Sequence, residues 1–238
     1  MSDINIFDEI VDQNNLLTTF INSYLSENGK DKFAEIIKSK LQISNNRYDF
    51  IIKILSRHIK TDESLRNDIL RCIVKKLCES QDINFFSRFK LPDNKILPED
   101  SLYEYDPAKN GQNILKHGLD FGAVVNYGGP DYGRLISYTN SETEDRFVIF
   151  SKYYINDKNN IFLIDDKKNE GFLCIATIAT NTDNGFRFIS SRALKVKSDK
   201  ALQRELRNII KDYNLDDSIM DNLRNRAYQI LNEYYKLK

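Results

Sequence analysis

The stretch Tyr105–Val124 (YDPAKNGQNILKHGLDFGAV) dictates its own shape through three separate local rules. Asp106 followed by Pro107 is a helix N-cap and a proline at the first helical position, where the missing N–H costs nothing. A helix therefore begins here. Gly118, directly after Ile114-Leu115-Lys116-His117, can take the left-handed backbone that ends a helix, and Asp120 is a second N-cap that opens a short turn carrying Phe121, Ala123 and Val124 inward. The stretch predicts a bent pair of helices displaying Lys109, Asn113, Lys116 and His117.

On the N-terminal side the chain is helical in pattern. From Ile6 to about Lys90 apolar residues recur at helical spacing, and Gly29 is the one glycine in that span. The expected elements are a hairpin of two helices flanking Gly29, one with Ile6, Ile10, Leu17, Phe20, Ile21 and Tyr24 on one stripe and one with Phe33, Ile36, Ile37 and Leu41. A second hairpin follows, with Tyr48, Ile51, Ile52 and Leu55 buried on its first helix and Leu65, Ile69, Ile73 and Leu77 on its second. A short piece around Ile83, Phe85, Phe86 and Phe89 caps the bundle. His58, beside Leu55 and Ile59, reads as a boundary residue.

Two of the four prolines fall in Leu91–Asp100 and break the period, which marks a linker. After the turn cluster Tyr127–Gly133 the pattern becomes that of strands. They are expected over Leu135–Thr139, Arg146–Tyr154, Ile161–Ile164, Phe172–Ala179 and Phe186–Ser190, in an antiparallel sheet. Two helices close the chain, over Lys200–Tyr213 and Ser218–Leu237. The fold class is thus α+β, with boundaries at 1–91 for an all-α targeting or regulatory bundle, 92–101 for the linker, 102–213 for the sheet domain and 214–238 for an additional C-terminal helix.

Charge limits the function classes. With 35 basic and 35 acidic residues in 238, nothing pulls the whole chain toward nucleic acid, and no apolar run approaches the roughly 18 residues of a membrane span. A protein that is cytosolic, or delivered by a route its sequence does not show, with no membrane partner is expected. Three cysteines without a CxxC pair, and only two histidines, predict reduced core thiols and neither metal nor cofactor. The local exception is Arg187–Lys211, where Arg187, Arg192, Lys195, Lys197, Lys200, Arg204, Arg207 and Lys211 face only Asp199 and Glu205. Clustered guanidinium groups beside a sheet suit phosphate binding. Tyr103, Tyr105, Tyr127, Tyr132, Tyr153 and Tyr154 could stack on bases, although a chain without tryptophan also fills its core with such rings.

The residues DPAKNGQNILKHGLDFGAV resemble the signature of the BrnT family of type II toxin ribonucleases, in which an Asp-Pro-x-Lys…Asn-x-x-Lys-His-Gly stretch opens the domain. Two later blocks match in order: Glu144-Asp145-Arg146-Phe147 resembles the family's Glu-x-Arg-aromatic strand, and Arg187-Phe188-Ile189-Ser190-Ser191-Arg192-Ala193 its Arg-Ile-Ile-Ser-Ala-Arg-Ala strand end. The resemblance covers about Leu102 to Tyr213. It implies a RelE-like fold, helices packed on a twisted antiparallel sheet, that cleaves RNA and is neutralised by a DNA-binding antitoxin. The bundle before Leu91 and the helix after Leu215 have no counterpart in the short toxin, so the bundle implies a protein partner of its own.

Cleavage of RNA without metal needs a base for the ribose 2′-hydroxyl, cations for the charge developing at phosphorus, and an acid for the leaving oxygen. At the matched positions His117, Glu144 or Lys116 could supply the base, and Arg146, Arg187 and Arg192 the cations. Lys109, Asn113, Ser190, Lys195, Lys197 and Arg204 are candidates for RNA contacts. Arg187 and Arg192 are opposite in strand parity, so the strand must bend before both face one way. Two further readings stand beside this one: the same fold without catalysis, acting as a binding module, and a DNA-binding repressor.

Overall fold

The computed structural model describes residues 6–89, 95–97, 100–128, 132–139, 145–155, 171–194 and 198–232; the strand expected over Ile161–Ile164 lies outside the described residues. The protein is α+β and divides into two compact units, residues 1–95 with 106–116, and residues 96–105 with 117–238. The break after residue 95 falls within 92–101, the span read as a linker. Residues 106–116, placed by sequence in the sheet domain, group with the N-terminal helices.

In the first unit α1 (Ile6–Leu41) is interrupted at Gly29, whose φ of 79° and ψ of 165° are not helical. The rings of Tyr24 and Phe33 lie 6.3 Å apart. Nine residues of straight helix would separate them by about 13 Å, so the chain bends sharply at this one residue. α2 (Asn45–Leu55) starts at Ser44, whose hydroxyl accepts from the Arg47 amide. Its buried stripe is Arg47, Ile51 and Ile54, whereas Ile52, expected inside, is 37% exposed. α3 (Glu63–Ser80) begins at the Asp62 cap and is buried on most of its circumference, with Ile69, Ile73 and Leu77 inward as expected. α4 (Phe85–Arg88) buries Phe85 and leaves Phe86 exposed.

α5 (Pro107–His117) begins at the predicted cap: Asp106 Oδ1 accepts from the amide of Ala108 at 2.7 Å. It docks on α3 through close backbone contact. A Cβ at Gly111 would lie 2.5 Å from the carbonyl carbon of Asp68 and 2.9 Å from the amide nitrogen of Ile69, so only glycine allows this approach. Beside it the fully buried Asn110 donates to the Asp68 carboxylate at 2.9 Å, and Lys75 pairs with Asp106 at 3.5 Å. Arg47 donates to the Leu115 carbonyl at 3.5 Å, which is why an arginine lies on the buried stripe of α2. Gly118 then has the expected left-handed φ, 73°.

The second unit is built on a six-stranded sheet. Its strands are β1 (Lys95–Leu97), β2 (Asp100–Tyr105), β3 (Leu135–Thr139), β4 (Arg146–Ile155), β5 (Gly171–Thr182) and β6 (Gly185–Ala193), in the order β1-β2-β6-β5-β4-β3. β3 to β6 form the expected antiparallel meander. The sheet is nevertheless mixed, because β2 runs parallel to β6 with Tyr103, Glu104 and Tyr105 opposite Phe186, Arg187 and Phe188. A strand that meets its neighbour only after the whole meander has no hairpin to impose the antiparallel sense.

Each face of the sheet carries its own core. On one, α6 (Phe121–Asn126), started by Asp120 as predicted, brings Phe121 against Tyr103, Tyr105, Ile149 and Phe188, while Leu119 and Val124 pack with Tyr153, Ile155 and Ile175. On the other, Val148, Phe150, Cys174, Ala176 and Ile178 meet Leu202, Leu206 and Ile209 of α7 (Asp199–Asp212) and Leu223, Ala227 and Ile230 of α8 (Met220–Leu231). The C-terminal helix is thus part of this unit's core. Asp199 joins the two helices, accepting from Gln203, from Arg224 at 3.0 Å and from the Tyr228 hydroxyl. Among the described residues no helix is long and apolar enough to cross a membrane.

Candidate nucleic-acid interface

The expected conflict of parity between Arg187 and Arg192 is resolved by a β-bulge. On β6 Arg187 and Phe188 stand opposite Thr180 and Ala179, but Ser190 already stands opposite Ile178, so Ile189 is an extra residue. One inserted residue reverses the alternation beyond it. Arg192 then stands opposite Ala176, whose side chain belongs to the core under α7 and α8. Arg187 and Arg192 accordingly share that face. Arg146 joins them, since it stands opposite Thr180, in step with Val148 and Phe150 of the same core.

The register therefore writes a polar row across one end of the sheet: Thr139, Arg146, Thr180, Arg187 and Glu104 on five adjacent strands. Neighbouring strands are about 4.8 Å apart, which puts Arg146 and Arg187 about 10 Å from each other at the backbone. Arg192 lies four residues along the sheet, about 13 Å from the row. Three arginines so spaced suit successive phosphates of a chain better than a single phosphate.

Sequence did not single out the partners that hold these arginines. Glu104 Oε1 accepts from Arg187 Nε at 2.7 Å and lies 2.6 Å from its Nη2. The Arg192 guanidinium donates through Nη1 and Nη2 to Asp212 Oδ2, both at 3.1 Å, and through Nη2 to the Tyr213 hydroxyl, and it also lies over the Tyr213 ring. Burial would lower the pKa of Arg192, but the Tyr213 hydroxyl and the Asp212 carboxylate outweigh it and hold the group above its ordinary value. The signal for Glu104 was present: Tyr103-Glu104-Tyr105 alternates as a strand with its aromatic rings on one side.

The remaining expected residues are dispersed. His117 does not join the row. It is the last residue of α5, and Leu119 and Phe121 after it are buried on the α6 face of the sheet, the face opposite to the row. Lys109, Asn113 and Lys116 belong to the first unit, where Lys109 is exposed but Asn113 is buried at 3% exposure. Ser190 is likewise buried, at the bulge, and Arg204 is exposed on α7. Glu144, Lys195 and Lys197 lie outside the described residues. His58, expected at a boundary, is exposed and hydrogen-bonds Ser56.

Of the tyrosines offered for base stacking, Tyr103, Tyr105 and Tyr153 are buried in the core of the α6 face and Tyr154 is 44% exposed. A cavity of about 940 Å³ in the first unit, between α1, α2 and α3, contains none of the expected site residues. Among the described residues no group of three or more His, Cys, Asp or Glu side chains is arranged to hold a metal ion. No protein-family model, curated protein or solved structure matches this chain.

Proposed function

We propose that the second unit is a BrnT-like endoribonuclease with a RelE-like fold, which grips single-stranded RNA along the face carrying Arg146, Arg187 and Arg192 and cleaves it without metal at a ribose 2′-hydroxyl. The observation that carries this reading is the bulge at Ile189, which turns two arginines of opposite parity onto the face of a third. A bulge that re-aims a side chain is a feature typical of functional edges. Guanidinium groups bind phosphate oxygens in pairs of parallel hydrogen bonds and stabilise the extra negative charge as the 2′-oxygen attacks. The three ordered sequence blocks support the same family.

The N-terminal unit acts here as the targeting or regulatory part, with a protein partner of its own. The resemblance also supports a cognate antitoxin, and a small ribbon-helix-helix protein encoded directly downstream is the genomic sign of one. The alternative, a binding module without catalysis, is favoured by the pairing of Arg187 with Glu104 and Arg192 with Asp212, which ties two of the cations to carboxylates. The full chain and its R146A, R187A and R192A variants, assayed on the same labelled single-stranded RNA for binding and for cleavage, separate the two. The nuclease reading expects cleavage by the wild type that each substitution lowers; binding without cleavage supports the module.

A further inference from the structure

Resting on the endoribonuclease reading, we propose that Glu104 is the general base that removes the 2′-hydroxyl proton, with Arg187 as the cation that holds the adjacent phosphate. The base must stand beside the cations, and the geometry narrows the choice. Glu104 is the carboxylate that the parallel pairing of β2 with β6 sets directly opposite Arg187.

The details of the contact suit the role. Both guanidinium nitrogens of Arg187 that approach Glu104 do so at Oε1. A carboxylate can accept at about four lone-pair sites, and Oε2 takes no hydrogen bond among the described residues, so one oxygen is anchored while the other can receive a proton. The pair is only partly covered, with side-chain exposures of 20% for Glu104 and 43% for Arg187, so a phosphodiester can reach both. The arginine beside the base also neutralises the charge of the developing phosphorane, which lowers the barrier.

In the step itself Glu104 Oε2 takes the 2′-hydroxyl proton as the 2′-oxygen bonds to phosphorus. The bond from phosphorus to the 5′-oxygen breaks, and the departing oxygen takes a proton from water. The products are a 2′,3′-cyclic phosphate and a 5′-hydroxyl, and Glu104 returns its proton to solvent.

The full chain and its E104Q and E104D variants are compared for RNA affinity and for single-turnover cleavage from pH 4 to 9. E104Q keeps an acceptor for Arg187 but cannot take a proton. It should bind RNA at least as tightly as the wild type, cleave about 10²–10⁴-fold more slowly, and lack the acidic limb that the wild-type profile shows. E104D, with the carboxylate set back by one methylene, should recover part of the rate and the limb. Cleavage by E104Q near the wild-type rate, or an unchanged acidic limb, overturns the assignment of the base alone. A wild type that binds RNA and never cuts it overturns both this inference and the nuclease reading.

Discussion

Replacing Gly111 by alanine sets two rules against each other with opposite signs. In a helix interior alanine is favoured over glycine by about 0.8–1 kcal/mol, so propensity alone predicts a more stable protein. The structure predicts the reverse, because the new Cβ would press on the backbone at Asp68 and Ile69, which no rotamer change can relieve. Forcing a methyl group into such a contact costs about 1–3 kcal/mol. Displacing α5 also stretches the bond from the buried Asn110 to Asp68, itself 3% exposed, and a charged acceptor left short of a donor costs about 1–3 kcal/mol more. Net of the propensity gain, G111A should lose about 3 kcal/mol. Urea unfolding of the full chain, followed by helical circular dichroism, should show a midpoint lower by about 1–2 M, while K109A, on an exposed residue of the same helix, should stay within about 0.5 kcal/mol of wild type. A G111A protein as stable as the wild type, or more so, would refute the docking of α5 on α3.

Three other outcomes follow from particular groups. Burial pushes the Cys72 and Cys174 thiols up to about 12, and all three cysteines are buried, so the native protein should react with an aromatic disulfide reagent only as fast as it opens, and fully in urea. The Tyr228 hydroxyl, with help from Arg224 and Gln203, holds Asp199 below its ordinary value. A depressed carboxyl contributes stability above its unfolded pKa of about 3.9 and loses it as pH falls through the folded value, so D199N should be less stable at pH 7 and show a flatter acid limb in thermal melts between pH 6 and 2. If Arg146, Arg187 and Arg192 each meet one phosphate, removing any of them should lower the salt slope of single-stranded RNA affinity by about 0.7; unchanged slopes would place the RNA elsewhere.

What could be read in the sequence was what local chemistry decides. The caps at Asp106 and Asp120 and the left-handed Gly118 need only their neighbours, and all three are present. The strands from Leu135 to Ser190 that fall on described residues also follow from their own alternation. Long-range partners decided the rest. Arg47 was left off the buried stripe of α2 because its acceptor, the Leu115 carbonyl, comes 68 residues later, and Ile52 was placed inside in its stead. β2, which straddles the end of the linker and the start of the sheet domain, was not read as a strand, since nothing near Asp100–Tyr105 announces a parallel partner more than eighty residues on. Asn113 looks like an exposed ligand on a polar helix but is 3% exposed, and on the same helix Asn110 is buried against Asp68, 42 residues earlier. The arginine row depended on one extra residue at Ile189, and an apolar residue in an apolar strand gives no sign that it is a bulge.

The ends left on RNA by the full chain bear on the proposed chemistry with the fewest intervening assumptions. Single-stranded RNA incubated with the protein in excess EDTA should yield fragments ending in 2′,3′-cyclic phosphate and 5′-hydroxyl, and these should diminish with R187A. RNA that stays intact, or fragments with 5′-phosphate ends that form only when a divalent ion is added, would contradict a 2′-hydroxyl attack organised by Arg146, Arg187 and Glu104.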